Sequence, residues 1–331
     1  MDQENYEQRK SKIPALNVIN STLATNKALE EIEDNRGPYQ MYLKTRYKKL
    51  NEILYGGFRF KQNILLAGSS GHGKSYFLKM LHQDFKNQQL NGNLKYPIKI
   101  LHFNFEMETA HEILRELVGC TGISYADLLS ATENLTDEKL ELVKKTLKTI
   151  PDEIQYYVES TGNKYQIFKT IELFQNKFPN HKIITTLDHT LLVEKLDESG
   201  EIEILSDLAK MYIKIRKKLE NINILLGQLN DKMEDVKRRE NSSILNYPTK
   251  TDVFSSKQIF HAVDIAMVLN RPELFNIIYY GKHSRMTERL IALHILKSRT
   301  NFSGGYIKLL EDFANGKILN HPEDIKNNIK L

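Results

Sequence analysis

Short apolar runs recur along this chain, separated by stretches in which apolar residues fall three or four positions apart. Asn63 to Ala67, Ile98 to Phe105, Tyr156 to Val158, Ile183 to Leu187 and Ile222 to Leu226 read as strands buried on both faces. Between the last two, Leu205, Leu208, Tyr212, Ile215 and Leu219 share one helical stripe, and Phe77, Leu78 and Leu81 mark a helix after the first run. Strands alternating with helices predict an α/β fold, a mostly parallel sheet with helices on both faces. After Gln228 the pattern changes: residues 231–258 are polar and charged. Val263 to Leu269, Ile277 to Tyr280, Leu290 to Leu296 and Tyr306 to Leu310 then read as strands or C-terminal hairpins. Upstream, Ile19, Leu23, Leu29 and Ile32 could line a short helix ending near Asn35-Arg36-Gly37-Pro38; a disordered arm is the alternative. The expected division is an N-terminal arm with a linker helix (1–39), a core (40–315) and a C-terminal tail (316–331).

The chain has 331 residues and a net charge of +5, from 47 Lys and Arg against 42 Asp and Glu. That mild excess permits a polyanionic partner without requiring one. Cys120 is the single cysteine, so one chain can build neither a disulfide nor a CxxC zinc site, and the thiol reads as a small core residue. No apolar run approaches the roughly 18 residues of a membrane span, and the polar N-terminus carries no signal-peptide core. A cytoplasmic protein is expected, in the host cytoplasm if the chain is viral, with no membrane partner.

The first apolar run leads into Gly68-Ser69-Ser70-Gly71-His72-Gly73-Lys74-Ser75, the spacing GxxxxGK(S/T). Glycines let backbone N–H groups turn inward around phosphates, and the following helix adds the positive end of its dipole. Lys74 supplies charge to the β- and γ-phosphates, and Ser75 offers a hydroxyl to Mg²⁺. ATP and Mg²⁺ are therefore the expected cofactors.

The metal also needs a carboxylate at a neighbouring strand end. Asp188 follows Ile183 to Leu187 and suits that role; a turn cap is the alternative. His189 either senses phosphate or packs. Glu106, just after the run that begins at Ile98, is the candidate for activating water, with Glu108 its competitor. Gln228, at a third strand end, could contact a γ-phosphate or simply face solvent.

In this order the features resemble the hexameric replicative helicases of the DnaB type, whose core is RecA-like. Asn104-Phe105-Glu106-Met107 resembles that family's SLEM segment, whose glutamate is the catalytic base, and Leu187-Asp188-His189 is similar to its Walker B segment. Gln228-Leu229-Asn230 resembles the sensor, and Lys297-Ser298-Arg299-Thr300-Asn301 with Gly304-Gly305 resembles the KxRNGxxG segment. Tyr47 to Phe58, with Leu50 and Gly56-Gly57-Phe58, resembles the stretch LDxxxGGF, except that Asn51 stands where the family has Asp. The likeness spans about residues 40–315 and is closest to a phage-type form without the large N-terminal helical domain, which puts the usual way of binding primase in doubt.

The resemblance implies a RecA-like ATPase that forms a homohexameric ring on single-stranded DNA. It assigns Lys297 and Arg299 to a neighbour's nucleotide and single-strand contacts to central loops. In this sequence Lys237, Arg238 and Arg239 form the basic cluster for such a loop, with Lys250 and Lys257 farther on; a solvated loop is the alternative. Tyr247 could stack on a base, although a packed tyrosine is the simpler reading. Primase, a helicase loader or a polymerase are the partners implied. A RecA- or RadA-like recombinase, and a non-unwinding ATP-bound scaffold or loading factor, are the other functions the sequence admits.

Overall fold

The computed structural model describes residues 18–130, 135–195, 200–235, 238, 246–254, 256–281, 285–299 and 304–326. It divides into two compact units, residues 1–41 and 42–331. The described part of the first is mainly one helix, α1 (Ser21–Arg36). The Asn20 side chain caps it by accepting the Leu23 N–H at 2.8 Å. None of its residues is buried, and Ile19, Leu23, Leu29 and Ile32 are all exposed.

The second unit is built on a nine-stranded sheet. Its strands are β1 (Gln62–Gly68), β2 (Ile98–Asn104), β3 (Gln155–Val158), β4 (Lys182–Asp188), β5 (Ile222–Gln228), β6 (Ile265–Asn270), β7 (Leu290–Ser298), β8 (Tyr306–Asp312) and β9 (Lys317–Asn320). Their order is β9-β8-β7-β6-β1-β5-β4-β2-β3. Strands β6 through β3 in that order pair in parallel, and β7, β8 and β9 continue the sheet in antiparallel pairs.

Successive residues of the central strands feed different cores, as a two-residue period requires. Leu65, Ala67, Leu101, Phe103, Leu187 and Leu225 pack on one face, against α5 (Lys164–Lys177) and α6 (Glu201–Leu219). Four more helices complete the labels used below: α2 (Lys74–Lys86), α3 (Thr109–Thr121), α4 (Asp137–Leu147) and α7 (Ser256–Ala262). Ile64, Leu66, Ile100, Ile184 and Ile224 pack on the other face, with Phe77, Leu78 and Leu81 of α2. Both faces are covered, which is why these strands read as unbroken apolar runs. The stripe Leu205, Leu208, Tyr212 and Ile215 is the buried side of α6.

Four details depart from the sequence reading. The sheet continues past residue 315, where a tail was expected, because Lys317 to Asn320 pair with Leu309 to Asp312 as an edge strand. β3 is a half-buried edge strand rather than a fully buried one. Ile277 is buried, but Pro272–Phe275 form a 3₁₀ turn and Asn276 sits at φ 58°, so only Tyr279–Tyr280 pair, with Arg285–Met286. Cys120 is not a core residue: it is exposed on α3, whose buried residues are Leu117 and Val118.

The segment before β1 explains two positions of its motif. A Cβ on Gly57, at φ 151°, would lie 2.1 Å from the Leu43 carbonyl oxygen, so the short pair Tyr42–Leu43 with Phe58–Arg59 closes only over glycine. Asn51 accepts the Thr45 N–H at 2.9 Å and donates to the Thr45 carbonyl at 2.7 Å. An ionised aspartate could accept there but not donate.

Candidate active site

The carboxyl edge of the parallel strands gathers the motifs. Gly68 at the end of β1 lies beside Gln228 at the end of β5, and Asp188 at the end of β4 lies beside Asn104 of β2. β5 separates the phosphate-loop strand from the Asp188 strand.

Gly68 to Ser75 join β1 to α2, the strand–loop–helix setting that the motif requires. Gly73 caps α2 at φ 93°, and a Cβ there would meet Phe313 Cζ at 2.6 Å. A Cβ on Gly71, at φ 75°, would find nothing within 4 Å, so this side of the loop is open. The loop thus presents a concave backbone and a helix N-terminus, a combination that receives phosphate. Lys74 Nζ folds back over it, donating to the carbonyls of Gly68 at 2.9 Å and Ser69 at 3.0 Å. Burial lowers the Lys74 pKa, against the opposing pull of Asp188 and Glu106.

Ser75 Oγ donates to Asp188 Oδ2 at 3.0 Å. Asp188 is 4% exposed, and its Oδ1 is buried with no protein partner. Burial, and then the negative charge of Glu106, push the Asp188 pKa up to about 7 against the Ser75 hydrogen bond. A hydroxyl and a carboxylate with one oxygen still unpartnered, beside a phosphate loop, fit a hard divalent cation such as Mg²⁺. Glu106 is exposed just beyond β2, and its charge also reaches Lys74 and His189. Glu108 occupies the N-cap position of α3. His189 is buried, and its Nδ1 accepts the Leu191 N–H at 3.2 Å, so it packs and caps a short turn.

The end of β5 at Gln228 is tied directly to the segment that follows it. The Gln228 carbonyl accepts the Phe254 N–H at 2.8 Å, Leu229 bridges Val253, and the Asn230 N–H donates to the Asp252 carbonyl at 2.7 Å. Lys237 and Arg239 lie outside the described residues, as does the Lys257 side chain. Arg238 points inward: Nη1 and Nη2 meet the two Asp252 oxygens at 2.6 and 3.1 Å, and Nη2 donates to the Tyr247 carbonyl at 2.9 Å. Lys250 is exposed in the turn before Asp252. Tyr247 packs its ring against Tyr280, His294 and Tyr306.

Lys297 and Arg299 meet at the end of α7. Lys297 Nζ donates to the carbonyls of Phe260 at 2.6 Å and His261 at 3.3 Å, and Arg299 Nη2 donates to that of His261 at 3.2 Å. Both satisfy terminal carbonyls of the helix. Arg299 remains half exposed, with Asp264 3.4 Å from its Nε. Asn301 lies outside the described residues.

Sequence reasoning missed Arg271 and Phe313. The Arg271 N–H donates to His72 Nδ1 at 3.1 Å, its Nη1 to the Gly71 carbonyl at 3.2 Å, and its Nη2 to Glu311 at 3.1 Å. Its guanidinium lies over the Phe313 ring at 4.9 Å, and Tyr76 stacks on Phe313 at 4.7 Å. The phosphate loop is therefore buttressed by the C-terminal hairpins. Burial, Lys74 and Arg271 lower the His72 pKa to about 4, which keeps the ring neutral and able to accept. Arg271 carried the same signal as Asp188 and Gln228, a polar residue directly after an apolar strand; Phe313 carried none.

A phosphate loop, a carboxylate one strand removed and a polar residue ending the strand between them define a P-loop NTPase with a RecA-like sheet. Comparison with known families narrows this: the DnaB-like helicase C-terminal domain matches residues 43–310. The chain belongs to that family and is an ATP-dependent DNA helicase of the replicative type. One solved ATPase domain is similar in fold, with a TM-score of 0.76 at 18% identity over 92% of this chain and 100% of that one. A DnaB-like replicative helicase, described with its interactions with primase, gives a TM-score of 0.73 at 18% identity over 96% of this chain and 71% of that one. No curated protein matches the chain. Among the described residues, no helix is long and apolar enough to cross a membrane.

Proposed function

We propose that this helicase works as a homohexameric ring that translocates along single-stranded DNA, driven by ATP hydrolysed at subunit interfaces. The observation that carries the reading is the stitching of the Gln228 strand end, beside Gly68, to Asp252–Phe254. A change at the γ-phosphate has a short covalent and hydrogen-bonded path to the loop that would face DNA. In this reading Gly68 to Ser75 cradle phosphate, with Lys74 turning from the Gly68 and Ser69 carbonyls to the phosphate oxygens. Ser75 and Asp188 hold Mg²⁺, which would neutralise phosphate charge. Glu106 accepts the proton of the attacking water, and Gln228 contacts the γ-phosphate. Lys250 and the basic residues 237 and 239 track the strand, and Arg238 shapes their loop. The arm would dock its exposed Ile19, Leu23, Leu29 and Ile32 on a neighbouring subunit. Primase, a loader or a polymerase would be the partners, in the cytoplasm. A strand-exchanging recombinase or an ATP-bound scaffold would use the same phosphate loop.

Lys297 and Arg299 would reach a neighbour's γ-phosphate from the α7 end, and mixing tests this. Arg299→Ala and Lys74→Ala should each be nearly inactive alone, since an arginine finger contributes about 10³–10⁵ in rate. Mixed, they restore interfaces with an intact loop on one side and an intact finger on the other, so DNA-stimulated ATPase should partly recover. No recovery between freely exchanging subunits, together with normal hydrolysis by Arg299→Ala alone, would sink the assignment.

A further inference from the structure

Behind Ser75 and Asp188 lies a narrow polar cavity of about 20 Å³. That is enough for about one water, which needs roughly 10–15 Å³ by the same measure. Its walls come from α2 (with Lys79 and His82), α3 (Glu112, Glu116), the strands β2 and β3 (His102, Tyr157) and the metal-site pair Ser75 and Asp188. Three polar atoms around it are buried without protein partners: Lys79 Nζ, His82 Nε2 and Asp188 Oδ1. Lys79 is 7% exposed and His82 5%. Burial on this scale without a partner is costly unless water supplies the missing hydrogen bonds.

The charges around the cavity are arranged unevenly. Lys79 faces Glu112 and Glu116, and Arg115 Nη1 approaches Glu112 Oε1 at 3.6 Å. The charge of Glu112 is felt at Asp188, and Glu112 in turn feels Glu106. A third carboxylate is thus held close to the metal site although no sequence motif marks it.

We propose that Glu112 is a positioning residue of the magnesium site: paired with Arg115 and set in the field of Lys79, it accepts a hydrogen bond from water in this cavity and so fixes the water and the Asp188 carboxylate. Partners one step removed from a metal orient the groups that bind it, and their loss weakens metal affinity by about 10–100-fold. Half-buried carboxylates that merely balance Lys79 would show no such effect, and in that case Glu112 and Glu116 would be interchangeable.

This inference rests on the nucleotide-site reading, and the test separates the two. Mg²⁺ is titrated into the full-length protein with a fluorescent ADP, and the half-saturating Mg²⁺ concentration is read alongside nucleotide affinity in chelator. Glu112→Gln should raise the half-saturating concentration about tenfold and leave the metal-free affinity unchanged, whereas Glu116→Gln should move it less than about twofold. Glu112→Asp, which keeps the charge and withdraws the carboxylate, should fall between wild type and Glu112→Gln, and it carries the test if the glutamine variant does not fold. A Mg²⁺ response in wild type that either Glu112 variant leaves unchanged, or that Glu116→Gln shifts equally, overturns the role of Glu112. Absence of any Mg²⁺ response in wild type overturns the nucleotide-site reading itself and the Glu112 role with it.

Discussion

Arg238 lies in the basic run expected to meet DNA, yet its guanidinium is committed to Asp252, so Asp252→Ala is an informative perturbation. Asp252 is 2% exposed at its side chain and accepts both Arg238 nitrogens, the Thr249 N–H at 2.7 Å and Thr249 Oγ1 at 2.8 Å. Burial alone would raise its pKa, but the Arg238 and Thr249 hydrogen bonds hold it below the usual carboxylate range. Removing one partner of a buried pair costs about 3–5 kcal/mol. Arg238 is 20% exposed at its side chain, so the lower end applies. About 3 kcal/mol is roughly a hundredfold shift toward an unmoored loop. The assay is single-strand affinity at several salt concentrations, with nucleotide affinity as the control. If Arg238 clamps the loop, Arg238→Ala and Asp252→Ala both weaken DNA binding, and the double variant is no worse than either. If Arg238 instead contacts phosphate, Asp252→Ala frees it and tightens binding, while Arg238→Ala flattens the salt dependence by about 0.7 in log–log slope. Tighter binding by Asp252→Ala would refute the clamp.

Two further outcomes follow from the site. Gly73→Ala must place a Cβ 2.6 Å from Phe313 Cζ at a φ of 93°, so nucleotide binding should be lost in a protein that remains folded. Unchanged affinity in a nucleotide titration would mean that the Gly73 conformation is not required. Because the Asp188 pKa is raised to about 7, the native state holds a proton there that the unfolded chain has released, and stability falls as pH rises from the ordinary carboxylate range to about 7. Mg²⁺ requires the ionised form, so Mg²⁺-nucleotide binding should weaken as pH falls through that range and release protons near neutral pH. Calorimetry in buffers of different ionisation enthalpy reads this, and equal proton release by Asp188→Asn would contradict it.

The sheet was legible because strands covered on both faces must be apolar throughout, and the phosphate loop because its glycine spacing is set by backbone geometry. Asp188 and Gln228 were legible as polar residues ending such strands. Long-range contact was not. Phe313 reaches Gly73 across most of the chain, and the partner of Arg238 is fixed only when Asp252 is tied to Asn230. Lys317 to Asn320 escaped notice because an edge strand needs few apolar residues: only Ile318 is buried. Cys120 was misjudged because composition does not say which side of α3 a small residue occupies. The polar lining at Lys79, His82 and Glu112 is invisible in sequence for a related reason, since two helices must first be brought together.

In the proposed function, ATP turnover at this site drives movement along a single strand. The most direct measurement is unwinding of a forked duplex with one labelled strand, with ATP and Mg²⁺, beside Lys74→Ala. Strand separation should require ATP, be absent in Lys74→Ala and be carried out by particles that electron microscopy shows as rings. Strand exchange by filaments, or ATP binding without turnover or strand separation, would contradict it.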